Sequence, residues 1–204
     1  MKPLELLLSR YPVLLPLEAE LNKTFTLLRS SFAAGGKLLI CGNGGSAADA
    51  EHIVGELMKD FCKKRPIPES VREKLSDDPV LAAGLHGALP AVSLCSQTAL
   101  MTALANDGDP SLLFAQQVYG YGRPGDVLLA LSTSGNSANV VRAARVAKAV
   151  GMQVVSVTGQ GGGKLSALAD AALCLPDMET YRVQELTMPI YHALCLALEE
   201  EFFL

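Results

Sequence analysis

Five short apolar runs, each leading into a stretch with helical spacing, constrain this chain more than anything else in it. "KLLIC" (37–41) precedes a helical pattern from about Ser46 to Phe61, and "LPAVSLC" (89–95) precedes "TALMTALAN". "DVLLALS" (126–132) precedes "SANVVRAARVAKAVG", "QVVSVTG" (153–159) leads through glycines to "KLSALA", and "DAALCLP" (170–176) precedes a final helix. A strand buried on both faces reads as an unbroken apolar run, and neighbouring parallel strands need a right-handed helical crossover. The expected fold is therefore α/β: a three-layer α/β/α sandwich around a parallel sheet.

Leu6, Leu7, Leu14, Leu17, Leu21, Phe25, Leu28 and Phe32 recur at helical spacing, interrupted by Pro12 and Pro16 and ended by Gly35-Gly36. Residues 1–34 thus form an N-terminal helical segment, packing on the domain or in an oligomer, and 35–204 form the domain itself. Within it, 62–87 is polar and Pro-rich and reads as an excursion carrying a small helix.

A net charge of −4 with a pI near 5.4 leaves no electrostatic footprint for nucleic acid or an anionic membrane. No run of apolar residues is long enough to span a bilayer, and no basic-then-apolar leader opens the chain. The five cysteines are odd in number and far apart, and Cys41, Cys95 and Cys174 sit in strand-like runs as buried free thiols would. The expected compartment is the cytoplasm.

Ligands of open α/β sheets sit beyond the carboxyl ends of the strands, and two of those ends carry unusual loops. Gly42-Asn43-Gly44-Gly45-Ser46 follows the first run, and Ser132-Thr133-Ser134-Gly135-Asn136-Ser137 follows the third. Each opens a helix, whose first amides and dipole favour an anion. Glycines let the backbone approach closely, and the hydroxyls supply neutral donors, so a phosphate monoester fits the pair without any Lys or Arg. Ser46 and Ser137 would serve equally as helix caps. Neither loop has the G-x-G-x-x-G spacing or the P-loop lysine. "TGQGGGK" (158–164) is either a third contact or a flexible turn.

His52 and Glu56, at i and i+4, share one helical face beside the first loop. They could share a metal, act as general base and its orienting partner, or simply face solvent. His192 lies among apolar residues, as a satisfied core histidine would, and Gln184 reads as a surface residue. His86 falls in the excursion and receives no role.

These residues carry a resemblance. "CGNGGSAADAEHIVGEL", "ANDGDPSLLFAQQV", "GDVLLALSTSGNSANV", "VTGQGGGKLSALAD" and "YRVQELTMPIYHALCLALE" together resemble the sugar isomerase (SIS) domain family, best its phosphoheptose isomerase branch, over roughly residues 35 to 200. The resemblance implies a five-stranded parallel sheet flanked by helices, and a homotetramer with active sites between subunits. It also implies interconversion of sedoheptulose 7-phosphate and D-glycero-D-manno-heptose 7-phosphate through an enediol. Substrate contacts carried over from it fall on Asn43, Gly44, Gly45, Ser46, Glu56, Asn106, Asp107, Ser132, Thr133, Ser134, Ser137 and Gln184. Its zinc ligands fall on His52, Glu56, Gln184 and His192, with Glu56 as base and His192 as acid. Thr187 stands where relatives often carry another histidine, and the 62–87 segment is longer than in the shortest heptose isomerases.

Gln184 and His192 lie eight residues apart, about 12 Å along an ideal helix, too far to share one ion from a straight helix in one chain. Either the helix begins after Gln184, which Thr187 as cap and Pro189 in the first turn favour, or the two serve different subunits' sites. The competing reading of the whole chain is a non-catalytic SIS module that binds a phosphosugar or a protein, of the kind that associates with the bacterial replication initiator. That branch keeps the hydroxyl loop and typically lacks the acid–base and metal set.

Overall fold

The structure, a computed structural model, describes residues 2–203. Two helices, α1 (Pro3–Arg10) and α2 (Glu18–Ala33), are joined by a 3₁₀ stretch, Pro12–Leu17, that absorbs both prolines. β1 (Leu38–Cys41) leads into α3 (Gly45–Met58), and the excursion then folds as two short helices, α4 (Glu69–Lys74) and α5 (Pro79–Gly84), where the sequence predicts one. β2 (Ala91–Ser93), α6 (Thr98–Asp107), α7 (Leu113–Tyr121), β3 (Val127–Leu131), α8 (Ala138–Ala149), β4 (Gln153–Thr158), α9 (Gly163–Ser166), β5 (Ala171–Cys174) and α10 (Thr180–Phe202) complete the chain. None of the described helices is long and apolar enough to cross a membrane.

The five strands are all parallel, in the order β2-β1-β3-β4-β5. Their alternate side chains feed two cores, as the two-residue strand period requires. Leu38, Ile40, Val127, Leu129, Val155 and Val157 face α1, α2, α3 and α10, while Leu39, Cys41, Leu128, Ala130 and Val154 face α7, α8 and α9. The α8 seam is Val140, Ala143, Ala144 and Ala147, all fully buried, a helical stripe whose small side chains seat it tightly on the sheet.

Two sequence expectations need correction. α10 does not begin after Gln184: it runs unbroken from Thr180, with Pro189 inside it. Thr187 does not cap it, because its hydroxyl bonds back to the Val183 carbonyl at 2.8 Å. Burial of Val183, Thr187, Ile190, Tyr191 and Leu194 along one face holds the helix together through the proline. The second concerns the segment before β3, where only one helix is expected and a second, α7, is found. It buries Phe114 and Val118 together with Gln117, whose amide donates to the Leu94 and Leu113 carbonyls.

The excursion is polar and exposed on α4 and α5, yet its root is anchored. Arg65 is fully buried and its Nε lies 2.6 Å from Glu199 Oε1 on α10. The same guanidinium donates to the Glu56 and Leu57 carbonyls, capping the end of α3. His86 folds back onto this root, with Nδ1 accepting the Asp60 N–H.

Candidate functional site

The order 2-1-3-4-5 makes β1 and β3 neighbours whose following helices lie on opposite faces of the sheet, so their loops diverge and leave a crevice. A pocket of about 310 Å³ opens there, lined by Asn43, Gly44, Gly45, Ser46, Leu131, Ser132, Thr133, Ser137, Thr180 and Gln184. Three helix N-termini meet in it, those of α3, α8 and α10, and each contributes free amides and a positive dipole end. No Lys or Arg lines it.

Neither serine spends its side chain on a helix end. Gly44 precedes α3 with φ +57°, a left-handed conformation open to glycine, and no side chain caps α8. The Ser137 hydroxyl instead meets that of Ser132 at 3.0 Å. The two loops are tied to one another by a reciprocal amide pair, Asn43 Nδ2 to Asn139 Oδ1 at 3.1 Å and Asn139 Nδ2 to Asn43 Oδ1 at 2.9 Å. "TGQGGGK" buttresses rather than lines the pocket: Leu165 N–H donates to the Gly135 carbonyl and Gly159 N–H to that of Thr133. A Cβ on Gly135 would lie 2.1 Å from the Gly162 carbonyl oxygen, so only glycine fits this junction.

Some predicted contacts fall outside. Ser134 is exposed, its hydroxyl accepting the Asn136 N–H. Asn106 and Asp107 pair with each other at the exposed end of α6 and do not line the pocket. Sequence reasoning in turn missed Asn139 and Thr180, of which only Thr180 had a legible cue, a residue opening a helix.

Farther along α3, His52 Nε2 lies 3.1 Å from Glu56 Oε1, with the carboxylate mostly covered and the imidazole half exposed. The pair is turned against α10, where the His192 ring stands edge-on to His52 at a centroid separation of 5.0 Å. His192 Nε2 is buried without a hydrogen-bond partner. Burial first, and then the neighbouring His52 charge, hold His192 below the ordinary imidazole range, against the opposing pull of Glu56. His52, Glu56 and His192 therefore come together and Gln184 does not, since its amide lies over Gly45 in the anion pocket. Among the described residues, no three His, Cys, Asp or Glu side chains are gathered as a metal centre.

The family model described as "SIS domain" matches residues 13–77 and 82–159. The phosphoheptose isomerase of Rhodospirillum rubrum is 38% identical over 174 residues, 85% of this chain and 81% of that protein. That of Thiobacillus denitrificans is 42% identical over 176 residues, 85% and 79% of the two chains. The chain belongs to the SIS domain family, in its phosphoheptose isomerase branch. Solved structures of phosphoheptose isomerases agree. Phosphoheptose isomerase GmhA from Neisseria gonorrhoeae superposes with a TM-score of 0.75 at 34% identity, covering 90% of this chain and 87% of that one. The phosphoheptose isomerase from Francisella tularensis gives 0.75 at 29% identity, covering 89% and 86%.

Proposed function

We propose that this SIS protein is an aldose–ketose isomerase that interconverts sedoheptulose 7-phosphate and D-glycero-D-manno-heptose 7-phosphate. The observation that carries the reading is the presence, on the same two helices, of a neutral anion pocket at one end and a carboxylate–imidazole cluster farther along. Its membership of the phosphoheptose isomerase branch supports the choice of sugar.

In this reading the phosphate sits among the helix N-termini and the hydroxyls of Ser46, Ser132, Thr133 and Ser137. Its binding energy is converted into alignment of the reactive carbons. Glu56 takes the proton from the carbon beside the carbonyl while His192 supplies one to the carbonyl oxygen, giving the enediol. The reverse transfers at the neighbouring carbon then complete the isomerisation. His52 fixes the Glu56 carboxylate through their contact.

Zn²⁺ is the proposed cofactor, held by His52, Glu56 and His192 with Gln184 as the fourth ligand; when bound it would polarise the sugar carbonyl. The partnerless Nε2 of His192 suits such a ligand. Gln184, about 12 Å away along the same helix, suits an ion held by a second copy. Ser46 and Glu56 are likewise ten residues, about 15 Å, apart along α3. Both separations support sites completed between subunits, and the likeness to phosphoheptose isomerases favours a homotetramer as the assembly that completes them. The five free cysteines, with burial raising those of Cys41, Cys95 and Cys195, fit a cytoplasmic protein.

The test is conversion of sedoheptulose 7-phosphate, followed as aldose formed, with and without chelator and in Glu56→Gln. Turnover by the native protein that chelator and the substitution abolish is the expected result. Phosphosugar binding with no turnover by the native protein would instead assign the chain to the non-catalytic modules.

A further inference from the structure

Asn139 does not line the anion pocket, yet it makes the link between the pocket's two walls. β1 and β3 stay in register as far as Cys41 and Ala130. Beyond that point their loops part, because α3 packs on one face of the sheet and α8 on the other. The helix starts that follow present like positive dipole ends to the same space of about 310 Å³. Among the described residues, only the side chains of Asn43 and Asn139 hydrogen-bond one loop to the other, and they do so reciprocally, at 3.1 and 2.9 Å.

Each amide in this pair is matched as donor and as acceptor, so both planes are fixed. Asn139 Oδ1 also accepts the Val140 N–H at 3.0 Å, which ties the amide to the first turn of α8. At the other end the Asn43 carbonyl accepts the Ser46 N–H at 3.1 Å, in the first turn of α3. The pair therefore joins first turn to first turn, and it does so without setting a carboxylate beside an incoming anion.

We propose that Asn139 is a positioning residue for phosphate binding: through Asn43 it holds the starts of α3 and α8 at the separation where both donate to one phosphate. The inference rests on the reading of this pocket as the phosphate site, and extends it. Walls set in advance need not be ordered by the ligand, so more of the contact energy appears as affinity.

Binding of sedoheptulose 7-phosphate to the full chain, measured by calorimetry, tests this without turnover. Asn139→Ala should weaken it about 3–30-fold. The decisive comparison is Asn43→Ala against Asn43→Ala with Asn139→Ala. A residue that acts through Asn43 has nothing left to hold once Asn43 is truncated, so these two variants should bind alike. Asn139→Gln, whose amide stands one methylene too far out to close both bonds, should show the same loss and gives a second reading if Asn139→Ala disturbs α8. Native affinity in Asn139→Ala and Asn139→Gln, or a further loss on adding Asn139→Ala to Asn43→Ala, would overturn the proposal and leave the pocket as the phosphate site. A native protein that binds neither sedoheptulose 7-phosphate nor inorganic phosphate would overturn the pocket reading, and the proposal with it. Binding with the expected coupling but no turnover would support the role of Asn139 and sink only the isomerase reading.

Discussion

Two glutamates on the packed pair α3 and α10 have opposite fates. Glu199 has every acceptor position engaged: Oε1 takes Phe61 N–H and Arg65 Nε, and Oε2 takes the N–H groups of Cys62 and Lys63. Glu56 has one partner on one oxygen, a half-exposed imidazole. A saturated carboxylate stiffens the structure around it and has no capacity left for chemistry, whereas an undersatisfied one beside an unpartnered imidazole is poised to exchange protons. Arg65 joins the two regions, since the guanidinium that neutralises Glu199 also holds the backbone carbonyl of Glu56.

The sharpest way to break this contrast is to exchange the effects. Glu56→Gln should cut turnover by about 10²–10⁴-fold and leave the thermal midpoint where it was. Arg65→Ala should strand a buried carboxylate and cost about 3–5 kcal/mol, measured by denaturant unfolding. Replacing both partners, Arg65→Met with Glu199→Leu, should restore most of that stability, because it is the unpaired charge that is costly. Wild-type turnover in Glu56→Gln, or a tolerated Arg65→Ala, would erase the distinction.

A smaller effect is expected from acid. Burial alone would raise the Glu199 carboxyl, but the Phe61 and Cys62 amides and the Arg65 guanidinium outweigh it and hold the group below the ordinary glutamate range. A depressed native pKa contributes stability above the unfolded value, about 4.3, and loses it as pH falls through the native one. Unfolding free energy should therefore decline below pH about 4, and less steeply in Arg65→Met/Glu199→Leu. Smallest is the anion pocket: Ser132→Ala with Ser137→Ala should weaken a sugar phosphate by about 3–30-fold, and Ser134→Ala should change little. An equal loss for the unphosphorylated sugar, compared by calorimetry, would contradict the pocket's assignment.

The strands and their order of helices were legible because period-two and period-3.6 burial leave plain marks on the sequence. α7 was not, because Gln116 and Gln117 interrupt its apolar stripe, and one of the two carbonyls that receive the buried Gln117 amide is on Leu94, 23 residues away. Pro189 argued for a helix boundary, and the buried face of α10 overrode it. At the candidate site, the glycine and hydroxyl loops announced themselves by composition. Asn139, Arg65 and Tyr191 did not, since their partners lie 96, 134 and 139 residues off in the chain. An asparagine on a helix, an arginine in a charged run and a tyrosine in an apolar stripe look ordinary until the fold supplies the other half.

One contact ties the two ends of this machinery together. The Gln184 side-chain amide rests on Gly45, with its nitrogen 2.5 Å from where a Cβ would stand, so the glycine loop and the first turns of α10 meet through that one side chain. The same helix carries His192 two turns farther on. A larger residue at 45 would therefore displace Gln184 on α10 as well as spoil the anion loop, so a single glycine fixes the spacing between two parts of the machinery.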